Sequence, residues 1–204
     1  HLTMASAGAT VVLPLHLQNE VIHPEGAIHA GFGGPEASRE AFLAAARTVL
    51  DRSRRAGLPI VYVRMAFQPG GTDLPENCEL YRTVKRSEVM REGSWGVEFM
   101  AGLEPMLPAD RVVSHNRVNA FYDSDLETTL DSLNCAEVVL FGVATHSVVE
   151  HTARHAADMG LGVTIVEDAC SAYPPERHEA SLAAIANLVT RATAEALDFG
   201  SGHD

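Results

Sequence analysis

The sequence predicts an α/β domain: a three-layer α/β/α sandwich around a mainly parallel sheet of about six strands. Three observations predict it. Short apolar runs alternate with longer helix-patterned stretches almost throughout, the rhythm of βαβ units. The strand candidates are continuously apolar rather than alternating, which suits strands buried on both faces. The 204 residues, with 46% hydrophobic and 21% charged, match one domain with a sizeable core.

In chain order, Thr10 to Leu17 (TVVLPLHL) reads as the first strand. Pro14 removes a ladder donor there, so the strand is expected to end early or sit next to a bulge. A helix follows over Ser38 to Ala56, with Ser38 as N-cap, Glu36 and Glu40 at its positive end and Gly57 as the stop. Pro59 to Phe67 (PIVYVRMAF) is the second strand. The stretch from Gln68 to Pro108 is rich in Pro and Gly. It reads as loop with short helices, and a loop of that length in a compact domain is commonly a binding or lid element. Arg111 to Ser114 begins a third strand. Ser124 to Leu133 is a helix, with Ser124 and Glu127 at capping-box spacing. Ala136 to Val143 is the fourth strand, and a helix opens at Thr145 or His146 and runs to Met159 before Gly160. Leu161 to Val166, a turn over Ser171 to Pro175, a helix over Glu176 to Val189 and a short strand over Ala192 to Ala194 complete the pattern. Residues 1–9 read as a tail in which His1-Leu-Thr-Met4 resembles a tag scar before an initiator Met. The domain is placed over 10–199, and 200–204 read as a frayed tail.

The net charge of −12 argues against a general nucleic-acid or anionic-membrane binder, since no basic surplus offsets phosphate repulsion. The basic cluster Arg52, Arg54, Arg55 reads as a solvated helix face. Cys78, Cys135 and Cys170 are odd in number and lack CxxC spacing, which speaks against a disulfide framework or structural zinc and fits a reducing compartment. No signal-peptide core is present and no apolar run approaches the ~20 residues of a membrane span, so a cytoplasmic location is expected.

In open α/β sheets ligands bind at the carboxyl ends of the strands. Three such ends carry polar residues that a core does not need: His16-Leu-Gln18-Asn19-Glu20, His115-Asn-Arg117-Val-Asn119, and Ala144-Thr145-His146-Ser147. A single strand-end histidine is more often structural, but here imidazoles arrive from separate segments. Thr145, His146 and Ser147 also read as ordinary N-cap chemistry, at a helix start whose N–H groups suit an oxyanion or carboxylate. His23, His29, His155 and His178 read as surface or packing residues.

The segments VVLPLHLQNE (11–20), PIVYVRMAF (59–67), RVVSHNRVNAFYDSDLETTL (111–130), EVVLFGVATHSVVEHTARHAADMG (137–160) and GVTIVEDACSA (162–172) resemble the isochorismatase-like, or cysteine hydrolase, superfamily across nearly the whole domain. The resemblance implies a Rossmann-like sandwich, a cis peptide between Val143 and Ala144, and a homodimer or homotetramer. It also implies a hydrolase acting on a small molecule, while ether cleavage, elimination or isomerisation fit the residues equally well. Family hydrolases use an aspartate after the first strand, a lysine after the third and a cysteine in the helix after GVAT. Those positions hold His16, His115 and Val148 here, and a valine cannot attack a carbonyl. Cys170 and Cys135 read as structural, and Cys78 lies in the long loop.

A His16/His115 pair can divide acid and base roles near neutral pH, because imidazole has an ordinary pKa near 6.5. Gln18, Arg64, Arg117 and Asn119 are candidates to orient a polar or anionic substrate. Trp95, Phe99, Phe67 and Tyr122 are candidates for an apolar wall, with Trp95 and Phe99 expected at a subunit interface. Thr145, His146, Ser147 and Val148 complete the candidate site. No cofactor is expected. Two other readings stay open: a metalloenzyme using His16, His115 and His146 or Glu150, and a non-catalytic binding protein that kept the fold.

Overall fold

The structure is a computed structural model that describes residues 8–199. The expected tails at 1–9 and 200–204 therefore lie almost wholly outside the described residues. Six strands, β1 (Ala9–Leu15), β2 (Val61–Met65), β3 (Arg111–His115), β4 (Cys135–Val143), β5 (Gly162–Ser171) and β6 (Thr190–Ala192), form one sheet in the order β3-β2-β1-β4-β5-β6. Every neighbouring pair is parallel. The helices are α1 (Asn19–Ile22), α2 (Glu36–Arg55), α3 (Glu79–Ser87), α4 (Leu126–Ser132), α5 (Glu150–Asp158) and α6 (Pro175–Ala184).

The core is built on the central strands. Val11, Val12, Leu13 and Leu15 of β1 and Val138, Leu140 and Phe141 of β4 are wholly buried, as continuous apolar strands between two helical layers require. Pro14 sits inside β1, opposite Phe141 of β4. On the other side β1 donates from Val12 N to Pro59 O at 3.0 Å and from His16 N to Val63 O at 2.9 Å. The rung between these two falls on Pro14, which has no N–H, and β1 meets β2 in register only at Leu15 and Val63. The proline thus thins one ladder without ending the strand.

Boundaries differ from the expected ones in ways the backbone explains. Helix α2 starts at Glu36 behind Pro35, and Ser38 lies inside its first turn with its N–H on the Pro35 carbonyl at 3.0 Å, so Ser38 is not the cap. Ser124 sits two residues ahead of α4, accepting from Leu126 N at 3.3 Å. Strand β5 runs on to Ser171 because Cys170 and Ser171 pair with Gly142 and Val143 after an irregularity in β4. Helix α6 stops at Ala184, since Ile185 leaves helical geometry at φ −113° and a turn over 185–188 leads into β6.

From β1 the sheet grows one way through β2 and β3 and, after β4, the other way through β5 and β6. The order reverses between β1 and β4, and the carboxyl end of that junction is the crevice where such sheets place ligands. His16 follows β1 there, and a cis peptide joins Val143 to Ala144 after β4.

Candidate active site

His16 stands at φ 56°, a left-handed conformation uncommon for a non-glycine residue but one that His adopts more readily than most. It turns the imidazole out of the strand direction toward His115, the last residue of β3. The two Nε2 atoms lie 2.5 Å apart, with ring centroids at 4.9 Å and planes inclined by 27°. Two strands from the same half of the sheet, separated by β2, thus deliver one imidazole each to a shared point. The rings are 5% and 3% exposed.

At 2.5 Å only one proton fits between the nitrogens. His115 Nδ1 faces the Asn119 carbonyl at 3.3 Å, so Nδ1–H donates there and leaves Nε2 as an acceptor. A neutral His16 with its proton on Nε2 is the donor of the shared bond, and the Val143 carbonyl competes for that ring's single N–H. Burial pushes His115 down from the usual 6.5 to about 4, with the Asn119 carbonyl acting against it. His16 is held well below 6.5 by burial first and by its positively chargeable neighbour His115 second, with the Val143 carbonyl opposing both. Both rings are neutral at physiological pH.

That state has a consequence for stability. An unfolded His115 takes up a proton near pH 6.5, whereas the folded one refuses it until about pH 4. Folding stability contributed by this neutral ring is therefore present above pH 6.5 and is lost as pH falls through that window. The loss from this ring is roughly 3 kcal/mol across the whole window, and His16 acts in the same direction. We expect the melting temperature to drop steadily from pH 7 to pH 4.5, and to drop less in His115→Gln, as calorimetry across pH will show.

The other expected site residues divide clearly. Gln18 is wholly buried, and its amide is taken up by backbone: Nε2 donates to Met65 O and Val97 O, and Oε1 accepts from Met65 N, each at 2.8 Å. It ties β2 and the 95–97 turn to the β1 end and has no hydrogen left for a ligand. Arg64 bonds Ser114 Oγ at 2.8 Å and pairs with Glu92. Trp95 packs edge-on against His23 at 5.0 Å and Phe99 against Tyr62 at 5.3 Å. Val148 is 1% exposed and belongs to the main core cluster.

Residues Thr145–Val149 form a single π-turn before α5. Ser147 N and Val149 N both turn back on the Ala144 carbonyl, at 3.1 and 3.4 Å, so these two N–H groups are not free for an oxyanion. Thr145 Oγ1 lies 2.8 Å from His178 Nδ1. His146 is half-buried with Nδ1 lacking a partner, and its pKa is lowered by burial and by Arg177. Among the described residues no group of three or more His, Cys, Asp or Glu is arranged to hold a metal ion, so His146 and Glu150 do not join the histidine pair in a ligand set.

A cleft of about 480 Å³ is lined by Asn119, whose carbonyl faces His115, and neither histidine of the pair lines it. Arg117, Asn119 and Tyr122, three of the expected residues, line it together with Tyr81, Cys78 and His151. Asn119 connects the two places, since its carbonyl holds His115 while its side chain bonds His155 Nδ1 at 2.9 Å. Tyr81 and His151 were not legible as site residues. Tyr81 lies on α3 within the Pro- and Gly-rich stretch, and His151 is one polar residue on an amphipathic helix. Their only sequence signal was membership of the long loop and of the segment after GVAT.

The Isochorismatase domain family model matches residues 10–196. The chain belongs to the isochorismatase family. It is 28% identical over 194 residues to a ureidoacrylate amidohydrolase, RutB, of Methylobacterium radiotolerans, covering 86% of this chain and 72% of that one. It is 30% identical over 151 residues to the uncharacterized isochorismatase family protein YecD of Escherichia coli O157:H7, covering 74% and 77%. A cysteine hydrolase from Pseudomonas syringae has the same fold, with a TM-score of 0.81 at 22% identity over 91% of this chain and 89% of that one. This member of the isochorismatase family has a six-stranded parallel sheet and a cis peptide between Val143 and Ala144, where the sequence resemblance implies one. It has His16, His115 and Val148 where the sequence resemblance implies Asp, Lys and Cys. No helix among the described residues is long and apolar enough to cross a membrane.

Proposed function

We propose that the chain hydrolyses an amide-type bond in a small organic molecule, with His16 and His115 as the acid–base pair and without a covalent enzyme intermediate. The observation that carries this is the 2.5 Å Nε2–Nε2 contact, with the His115 tautomer set by Asn119. The amide preference is carried over from the amidohydrolase relative.

In the closed pair each Nε2 is occupied by the other, so turnover starts when water and substrate part the rings. His115 Nε2 takes a proton from water as the hydroxide adds to the carbonyl carbon. His16 Nε2–H donates a hydrogen bond to the oxygen that becomes negative. The C–N bond then breaks as His115 passes its proton to the leaving nitrogen, which returns both rings to their starting state. A base with a pKa near 4 stays unprotonated throughout the neutral range.

None of the cysteines takes part. Burial pushes the Cys170 thiol up to about 12 and raises Cys135, so neither supplies thiolate. Cys78 lines the cleft, and Cys78→Ser is expected to keep turnover within about threefold of wild type, whereas a thiol nucleophile would lose orders of magnitude. A panel of amides, ureides, esters and vinyl ethers, assayed with wild type, Cys78→Ser and the histidine variants, tests the proposal.

The near-complete burial of both rings favours a second reading, a binding protein that kept the fold. Saturable ligand binding with no turnover across the panel would establish that reading instead.

A further inference from the structure

We propose that the cleft lined by Arg117, Asn119 and Tyr122 holds the carboxylate of a small planar acid on Arg117, which names the substrate class of the proposed reaction and rests on that reading only for its link to catalysis. The guanidinium of Arg117 stands over two phenol rings, 5.7 Å from the Tyr81 centroid and 5.8 Å from the Tyr122 centroid. Its Nη1 is anchored from behind, donating to Asp73 O at 3.0 Å, Asn116 O at 2.7 Å and Asn116 Oδ1 at 3.1 Å. Among the described residues Nε and Nη2 have no protein partner. The Asp73 carboxylate does not serve Arg117. Its Oδ1 accepts from Gln68 N at 3.0 Å and its Oδ2 from Asn116 Nδ2 at 2.9 Å.

The surroundings favour an anion. The chain carries a net charge of −12, yet no Asp or Glu lines this cleft. The cleft under Tyr173 and His178, by contrast, is lined by Glu167, Asp168 and Glu179. Here the charged lining group is Arg117, beside Asn119 and His151. His151 Nδ1 lies 3.2 Å from the Ser147 carbonyl and donates to it, which leaves Nε2 unpartnered at the cleft wall.

A fork with one edge anchored and the other open matches a carboxylate bidentately, and the flanking tyrosines match a flat, unsaturated body attached to it. A guanidinium over aromatic faces is also held rigid, so little further ordering is needed on binding. Asn119 lines this cleft and accepts from His115, so it is the residue shared by the carboxylate site and the pair.

The test is calorimetric titration of benzoate, benzamide and inorganic phosphate into the full chain, for wild type, Arg117→Gln, Arg117→Lys and His115→Gln. We expect benzoate to bind wild type at least about tenfold more tightly than benzamide, the increment of one charge-assisted fork. Arg117→Gln should erase that preference and Arg117→Lys should keep part of it, because a lysine supplies charge without the fork. If Arg117→Gln melts early, Arg117→Lys alone still shows a partial loss. His115→Gln should bind benzoate as wild type does, so failure of the acid–base mechanism and failure of this assignment are read separately. Equal binding of benzoate and benzamide by wild type, unchanged benzoate affinity in both Arg117 variants, or phosphate competing as well as benzoate would each overturn it.

Discussion

Replacing His115 by Gln is expected to lower kcat/KM by at least about 100-fold, the scale of a lost general base. Gln keeps a polar side chain of similar reach at the end of β3 but has no nitrogen that takes up a proton. The companion replacement is His16→Asn rather than His16→Ala, because φ 56° suits Asn and strains Ala. It should cost a similar factor. The double variant should be no worse than the poorer single one, since two rings 2.5 Å apart act as one unit and their losses do not add. Val148→Ala should retain turnover and lose about 1–2 kcal/mol of stability, as expected for a core valine that does no chemistry. Steady-state kinetics on the best amide of the panel, with melting temperatures for each variant, check all four expectations. Full activity in both histidine variants would remove the mechanism.

Gly142→Ala is expected to be the most destabilising single methyl addition near the site. Gly142 sits at φ 137°, and an added Cβ would lie 2.0 Å from the Leu15 carbonyl oxygen, a backbone atom that cannot swing aside. Leu15 and Gly142 are paired in register at the β1–β4 junction, one residue before His16 and one before the Val143–Ala144 bond. Relief would need the two central strands to separate where both histidine-bearing and π-turn segments begin. We expect a loss of about 3 kcal/mol or more, which for a domain of this size lowers the melting temperature by about 6–12 °C. Activity at low temperature should fall further than stability alone requires, because His16 moves with Leu15. Thermal melts and activity at 15 °C measure the two effects separately. A variant that melts with wild type would show that this junction is looser than its geometry states.

The fold was legible because the strands announce themselves. Continuous runs such as VVLPL and VVLFGV have few alternatives to a doubly covered parallel sheet. Pro14 looked like a strand breaker, and it occupies a rung on the thin β1–β2 ladder instead, which depends on a neighbour the local sequence does not show. Helix caps were less legible. Ser38 and Ser124 have the right chemistry, but Pro35 starts α2 earlier and Asp125 stands directly before α4. In the site, His16 and His115 were visible as polar groups at strand ends that a core does not need, and the sheet order brings them into contact. Gln18 was visible for the same reason, yet its amide is engaged by the backbone of residues 65 and 97. Strand-end polarity does not distinguish a group that meets a ligand from one that fastens a loop. Tyr81 and His151 reach the cleft only through the tertiary placement of α3 and α5, which no local pattern records.

The pH dependence of kcat/KM on the amide that turns over best distinguishes catalysis by the histidine pair from catalysis by a thiol. An acid limb near pH 4 is expected, rising with pH as His115 loses its proton, then a plateau through neutrality, and loss of that limb in His115→Gln. Turnover that persists in His115→Gln and disappears in Cys78→Ser would contradict this and return the chemistry to a cysteine.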